Sequence, residues 1–263
     1  MSLVYHKITD MDSWHRFAPP KDSEKQWRCT RSAMELARYI TDNLPELPNP
    51  IKEALKYAHE SPDDNYVWCP EYVTALPGSG GGRNHDLILF GKDIVVGVEA
   101  KADEKFDNTL ASWLKNGEKN ADKGANRKYR LDCLCKIIFN KKFSEEYKEL
   151  RYQLLSALSG TIIEAKKQSK AKALLMVISF NINNQCDPVN IACNNRDFAD
   201  FIEKIGNIND ESLSINCPEI VFAGHDIIDG IETYIVKVSI ERKDLRCNRC
   251  NYYAYCTEEK RWI

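Results

Sequence analysis

Asp86 opens one apolar run, and Glu99-Ala100-Lys101 closes the next. Two carboxylates and an amine so placed are the set needed to hold a divalent metal beside a phosphate. Mg²⁺ is a hard cation that takes oxygen ligands, so carboxylates suit it. A metal-bound water becomes nucleophilic, and a nearby ammonium stabilises developing negative charge or orients the attacking water. The competing reading of the same letters is a strand that ends in ordinary solvated charges.

Grouping these residues requires a particular strand geometry. Residues 93–101 read as a buried strand rich in β-branched side chains. Side chains alternate along a strand, so Glu99 and Lys101 share one face and Ala100 takes the other. With Gly91-Lys92 as a two-residue hairpin loop, Phe90 pairs with Asp93 and Asp86 falls opposite Gly97. Asp86 then lies on the face of Glu99, one diagonal step away, about 7–8 Å between backbones. The argument depends on loop parity, because a slip of one residue moves Asp86 to the other face. Glu71, after Pro70 on the preceding strand, is a candidate third carboxylate; the alternative is a solvated side chain. His85 precedes Asp86, so its side chain points to the other face and is expected to be structural.

A second signal lies at the carboxy terminus. Cys247, Cys250 and Cys256 form Cys-x2-Cys-x5-Cys. Three thiolates at this spacing in a chain with no export signal point to a metal, and soft sulfur selects zinc or an iron–sulfur centre. Cys29, just before the first long helix, is the candidate fourth ligand. The alternatives are a Cys₄ zinc site or three cysteines with a histidine such as His225. The other six cysteines are scattered and read as small buried or half-buried side chains.

The chain has 263 residues, 43% of them hydrophobic, and a net charge of −2. That suffices for a substantial core, and any nucleic-acid surface must be local. No apolar run approaches the length of a membrane span, and the first residues lack a signal-peptide core, so a cytoplasmic protein is expected. Ser32-Ala-Met-Glu35 reads as a capping box opening a helix that Pro45 ends. Asn49-Pro50 starts a second helix, with Ile51, Ala54, Leu55 and Ala58 on one face. Strands are expected over 66–76, 86–90 and 93–101, with Pro70 marking an edge or bend. Helices follow over 131–139 and 146–168, then a buried strand over 173–180, a helix near 197–205, and strands at 219–222 and 233–241. The expected class is α/β, a mixed sheet with helices on its faces. Residues 1–240 read as one domain and 241–263 as a cysteine-rich tail packed on it.

Taken together these residues resemble the PD-(D/E)XK nuclease superfamily, the restriction-endonuclease-like fold. Asp86 matches its metal aspartate, and Glu99-Ala-Lys101 its Glu-x-Lys. The surroundings resemble a narrower bacterial family of that superfamily. They include Ser32-Ala-x-Glu-Leu-Ala37, Pro70-Glu71, Leu76-Pro77-Gly78 with Gly82-Arg83, Asp103-Glu104-x-Phe106, Trp113, Arg130-Leu131, Arg151-Tyr-Gln-Leu-Leu155, Glu164-Ala165 and Ser179-Phe180.

The resemblance implies an αβββαβ core, Mg²⁺ or Mn²⁺, and hydrolysis of phosphodiester bonds in DNA. It also implies that Gln153, on the helix after the strands, lies beside the site; Arg151 and Tyr152 next to it are candidate phosphate contacts, with a core position the equal alternative for Tyr152. Glu164 is almost three turns further, about 16 Å along the same helix face, too far for the same metal. The glycine run 78–82 offers close approach to a phosphate backbone or, more plainly, a tight turn. One early cysteine with a late Cys-x2-Cys-x5-Cys resembles the iron–sulfur staple of Cas4-like and AddB-like nucleases, implying a [4Fe-4S] cluster with Zn²⁺ as the alternative. The rival expectation is a nuclease-like fold without activity that binds nucleic acid or a protein.

Overall fold

The structure, a computed structural model, describes residues 8–117, 121–182 and 186–242. Four helices come first: α1 Met11–Phe17, α2 Ser23–Gln26, α3 Ser32–Thr41 and α4 Asn49–Tyr57. Three strands follow, β1 Val67–Thr74, β2 Arg83–Phe90 and β3 Ile94–Lys101. Next come α5 Leu110–Lys115, α6 Ala121–Phe139 and α7 Tyr152–Lys167. The chain continues through β4 Lys172–Ile182, α8 Pro188–Ile205, β5 Ile220–Ile228 and β6 Ile231–Arg242. The six strands form one mixed sheet in the order β1-β2-β3-β4-β6-β5. Strands β3, β4 and β6 run parallel, and the outer pairs are antiparallel.

The sheet is covered on both faces, which is why β3 reads as an unbroken apolar run and is buried at every position. Val96, Val98 and Ala100 pack with Ile40, Ile51 and Leu55 of α3 and α4. Val95 faces the opposite layer with Leu154, Leu158 and Ile162 of α7. Each fully buried Leu or Ile contributes roughly 1.5–3 kcal/mol relative to exposure. Helix α7 approaches β3 closely because Gly97 has no side chain: a Cβ there would meet Thr161 Oγ1 at 2.1 Å.

Several local expectations change. The connection between β2 and β3 is residues 91–93, closed by Gly91 N–H to the Ile94 carbonyl at 2.9 Å. Phe90 therefore pairs with Val95, and the ladder runs Leu87 to Val98. This shifts the register by two, and the ladder ends at Leu87 and Val98, before Asp86 finds a partner. Ser32 is the first residue of α3; Arg31 is its N-cap, without a side-chain cap bond. Glu35 instead accepts the Thr30 N–H at 3.0 Å, and the Ser32 N–H donates to Glu104 at 3.0 Å. Helices α6 and α8 each begin about ten residues before their expected starts. The first turns of α6 are polar, and α8 opens on Pro188-Val189-Asn190-Ile191, whose Val189 is exposed.

Candidate active site

Strands β2 and β3 part at Asp86. His85 packs on the α7 side, where a Cβ on Gly160 would lie 3.0 Å from its Nε2. Ile88 and Phe90 belong to that same layer, whereas Leu87 and Leu89 face α3 and α4. Residues 85 and 88 share a face only because alternation reverses between them. The β1 pairing brackets the reversal with Pro70 opposite Leu87 and Tyr72 opposite His85. Glu71, between those positions, has φ +51°. Such a left-handed non-glycine residue costs of order 1–3 kcal/mol and marks a backbone held by its surroundings.

The reversal turns Asp86 toward a cleft on the α3 side, beside Ser32 and Ala33. The expectation that Asp86 and Glu99 share a face by alternation is thus corrected. Their neighbourhood has a different origin. The Asp86 carboxylate reaches across the gap and Oδ2 accepts the Ala100 main-chain N–H at 2.7 Å.

Glu99 is fully buried and Lys101 nearly so. Lys101 Nζ lies 2.8 Å from Glu99 Oε1, and Arg83 Nη2 pairs with Oε2. Glu99 Oε1 makes no hydrogen bond of good geometry despite that ionic contact. Burial lowers the proton affinity of both Lys101 and Arg83, and in each case Asp86 is the foremost charge opposing it. The two cations are paired with Glu99 and lie within the field of Asp86. Glu71 adds a third carboxyl, bonded by Asn84. Burial and then the Asp86 charge push its pKa up to about 7. His85 is held neutral by burial, then by the charge of Arg83, and its ring nitrogens lack hydrogen-bond partners among the described residues.

The donor chemistry suits a hard divalent ion. Asp86 Oδ1 and Glu99 Oε1 are carboxylate oxygens outside hydrogen bonds among the described residues. Among those residues no group of three or more His, Cys, Asp or Glu side chains is arranged to hold a metal ion. The residues that fit are the pair Asp86 and Glu99, with Arg83 and Lys101 as counter-charges.

The cleft has a volume of about 770 Å³. Asp86, Glu71 and Asn84 line it together with Glu104, which is bonded to Ser32, and with residues of the segment from Pro20 to Ala33. The glycine run lies elsewhere, as a clamped turn. Arg130 donates to the carbonyls of Pro77 at 2.9 Å, Gly81 at 2.9 Å and Ser79 at 3.1 Å. Gly78 and Gly80 supply the positive φ values, +83° and +109°, that this turn requires.

Other expected residues have structural partners. Gln153 Oε1 accepts the Asp107 N–H at 3.1 Å, which ties α7 to the segment after Lys101. Arg151 is not free for phosphate: it forks onto Asp197 at 2.9 and 3.3 Å. Tyr152 stacks on Trp113 with ring centroids 4.0 Å apart. Glu164 is buried far along α7, accepting from Tyr72 at 3.0 Å and Thr74 at 3.3 Å. His225, the histidine alternative for zinc, stands 3.3 Å from the Tyr57 hydroxyl and 3.5 Å from Glu211.

Arg83 was missed by residue-by-residue reading of the sequence; its signal was the Gly82-Arg83 step immediately before the strand. Cys29 lies in the turn before α3 and is disulfide-bonded. Cys247, Cys250 and Cys256, and nearly all of the tail expected over 241–263, lie outside the described residues. Cys69, Cys133, Cys135, Cys186, Cys193 and Cys217 are free, and all are buried or half-buried. Among the described residues no helix is long and apolar enough to cross a membrane.

Over residues 7–242 the chain matches the family model described as "Domain of unknown function (DUF6946)". No curated protein and no solved structure matches it.

Proposed function

We propose that this chain, which belongs to the DUF6946 family, is a metal-dependent nuclease hydrolysing phosphodiester bonds in DNA, with a restriction-endonuclease-like core. One observation carries the reading. Where β2 and β3 separate, Asp86 is fixed to the amide next to Glu99, and Lys101 points at the same carboxylate. The order of helices, three strands, helices and a parallel strand, with α3 and α4 directly before β1, supports the resemblance drawn from the motifs.

A Mg²⁺ or Mn²⁺ ion on Asp86 and Glu99, with the Ala100 carbonyl as a candidate third ligand, would supply an activated water and charge neutralisation on the phosphate. The chain's own residues do the rest. Lys101 holds its proton beside Glu99 and presents positive charge to a phosphate oxygen as negative charge develops there. Arg83 supplies a counter-charge to the buried Glu99 carboxylate. Glu71, titrating near neutrality beside Asp86, accepts or returns a proton at its carboxyl oxygen. Gln153 positions the segment after Lys101 through the Asp107 amide.

The cysteine centre is part of the same proposal: Cys29 once reduced, with Cys247, Cys250 and Cys256, would hold a [4Fe-4S] cluster or Zn²⁺. Iron and zinc analysis of protein purified without air distinguishes them.

A second reading draws on the charge balance. Arg83 and Lys101 already neutralise Glu99, which favours a fold that binds nucleic acid or a protein without cutting. Incubation with closed circular and linear, single- and double-stranded DNA separates the two readings. Metal-dependent cleavage abolished by EDTA supports the nuclease; DNA retained intact supports the binding module. Opening of closed circles identifies an endonuclease.

A further inference from the structure

The cleft that Asp86 and Glu71 line also carries a basic segment. Lys21, Lys25, Arg28 and Arg31 line it, all contributed by the short segment around α2 and the start of α3. A chain of net charge −2 has no general reason to gather four cations in one cleft. Their charges are not consumed by these carboxylates: Asp86 is bonded to Ala100, and Glu71 to Asn84. Lys25 meets Asp22 at 2.9 Å, but both side chains are largely exposed and the pair is readily exchanged. Lys21 and Arg31 are exposed.

Among the described residues no aromatic side chain lines the cleft. Proteins that hold single strands by their bases use aromatic platforms, and this cleft has none. What it offers is a row of cations beside carboxylates, the chemistry that recognises phosphate and leaves bases unread.

We propose that Lys21, Lys25, Arg28 and Arg31 form the wall along which a nucleic-acid strand's sugar–phosphate backbone lies, and that they contact it without regard to base sequence. The inference rests on the nuclease reading for the direction of the strand past Asp86, and assigns the phosphate contacts to residues outside the Asp86–Lys101 set.

The test measures binding in EDTA, so that neither metal nor cleavage contributes. Fluorescence anisotropy follows labelled oligo-dT, oligo-dA and a mixed-sequence strand over a series of KCl concentrations. Lys21→Ala and Arg31→Ala alter exposed side chains and should leave the melting temperature unchanged. Each is expected to weaken binding about fivefold at 0.1 M salt, equally for all three strands, and to reduce the slope of log K against log salt by about 0.7. Arg31→Lys should keep the wild-type slope.

Unchanged affinity and slope in both alanine variants, with DNA still cleaved, would overturn the basic wall alone. A loss confined to one base composition would overturn sequence independence. Polyglutamate competing as well as the oligonucleotide would overturn the assignment to nucleic acid. Wild-type protein that neither binds nor cleaves any strand would overturn the nuclease reading and the wall together.

Discussion

The Asp86 carboxylate accepts the main-chain N–H of Ala100 at 2.7 Å, taking the place of a strand partner where β2 leaves β3. The bond fixes the aspartate next to Glu99 and gives Asp86 two separable roles, one structural and one electrostatic.

Asp86→Asn keeps an oxygen able to accept from Ala100 and removes the charge. Its melting temperature should stay within about 2 °C of wild type, while Mn²⁺ binding by calorimetry and cleavage are lost. Asp86→Ala leaves the amide unpaired and should cost about 1–3 kcal/mol of stability. Equal stability of the two variants would show that the Ala100 bond contributes nothing.

Arg83 and Lys101 share the charge of Glu99, which has no exposure to water. Arg83→Ala removes one partner of a buried pair and should destabilise the protein by about 3–5 kcal/mol in urea denaturation. A divalent ion at Asp86 and Glu99 would replace part of the lost charge, so Mn²⁺ should recover a measurable fraction of the loss. Recovery equal to that of wild type would contradict metal binding at Glu99.

Lys237 is 5% exposed and meets no carboxylate among the described residues; its Nζ donates to Asn195 Oδ1 at 2.6 Å. Burial lowers its pKa from 10.5 to about 8. Below pH 8 both folded and unfolded chains carry the proton, and the penalty for burying the charge is complete. Between pH 8 and 10.5 the unfolded chain binds more protons than the folded one, so this contribution makes stability rise with pH. Lys237→Met should therefore be more stable than wild type by about 1–3 kcal/mol at pH 7. The difference should close as pH rises through that window. A difference that stays constant with pH would contradict it.

These relationships were unevenly legible in the sequence. The apolar runs of β3 and β4 announced a sheet buried on both faces, and helix α4 followed from Asn49-Pro50 and its apolar stripe. Glu99 and Lys101 could be paired by alternation, because β3 is regular. Asp86 could not, because alternation reverses at the Glu71–Asp86 step, and that reversal is set by tertiary pairing of β1 with β2. The wall at residues 21–31 has no helical or strand period, so nothing in its spacing marked it as one surface. Arg130 carries a role visible only in three dimensions, holding the carbonyls of a glycine turn some fifty positions away.

The central claim is that the charges at Asp86, Glu99 and Lys101 cut phosphodiester bonds. Single-turnover cleavage of labelled DNA in Mg²⁺ by wild type and by Lys101→Ala tests it most directly. The expected result is a rate lower by about 100-fold or more for the variant, assayed below its melting temperature because Lys101 is one partner of a buried pair, with DNA binding in EDTA largely unchanged. Cleavage by Lys101→Ala at the wild-type rate would contradict the account.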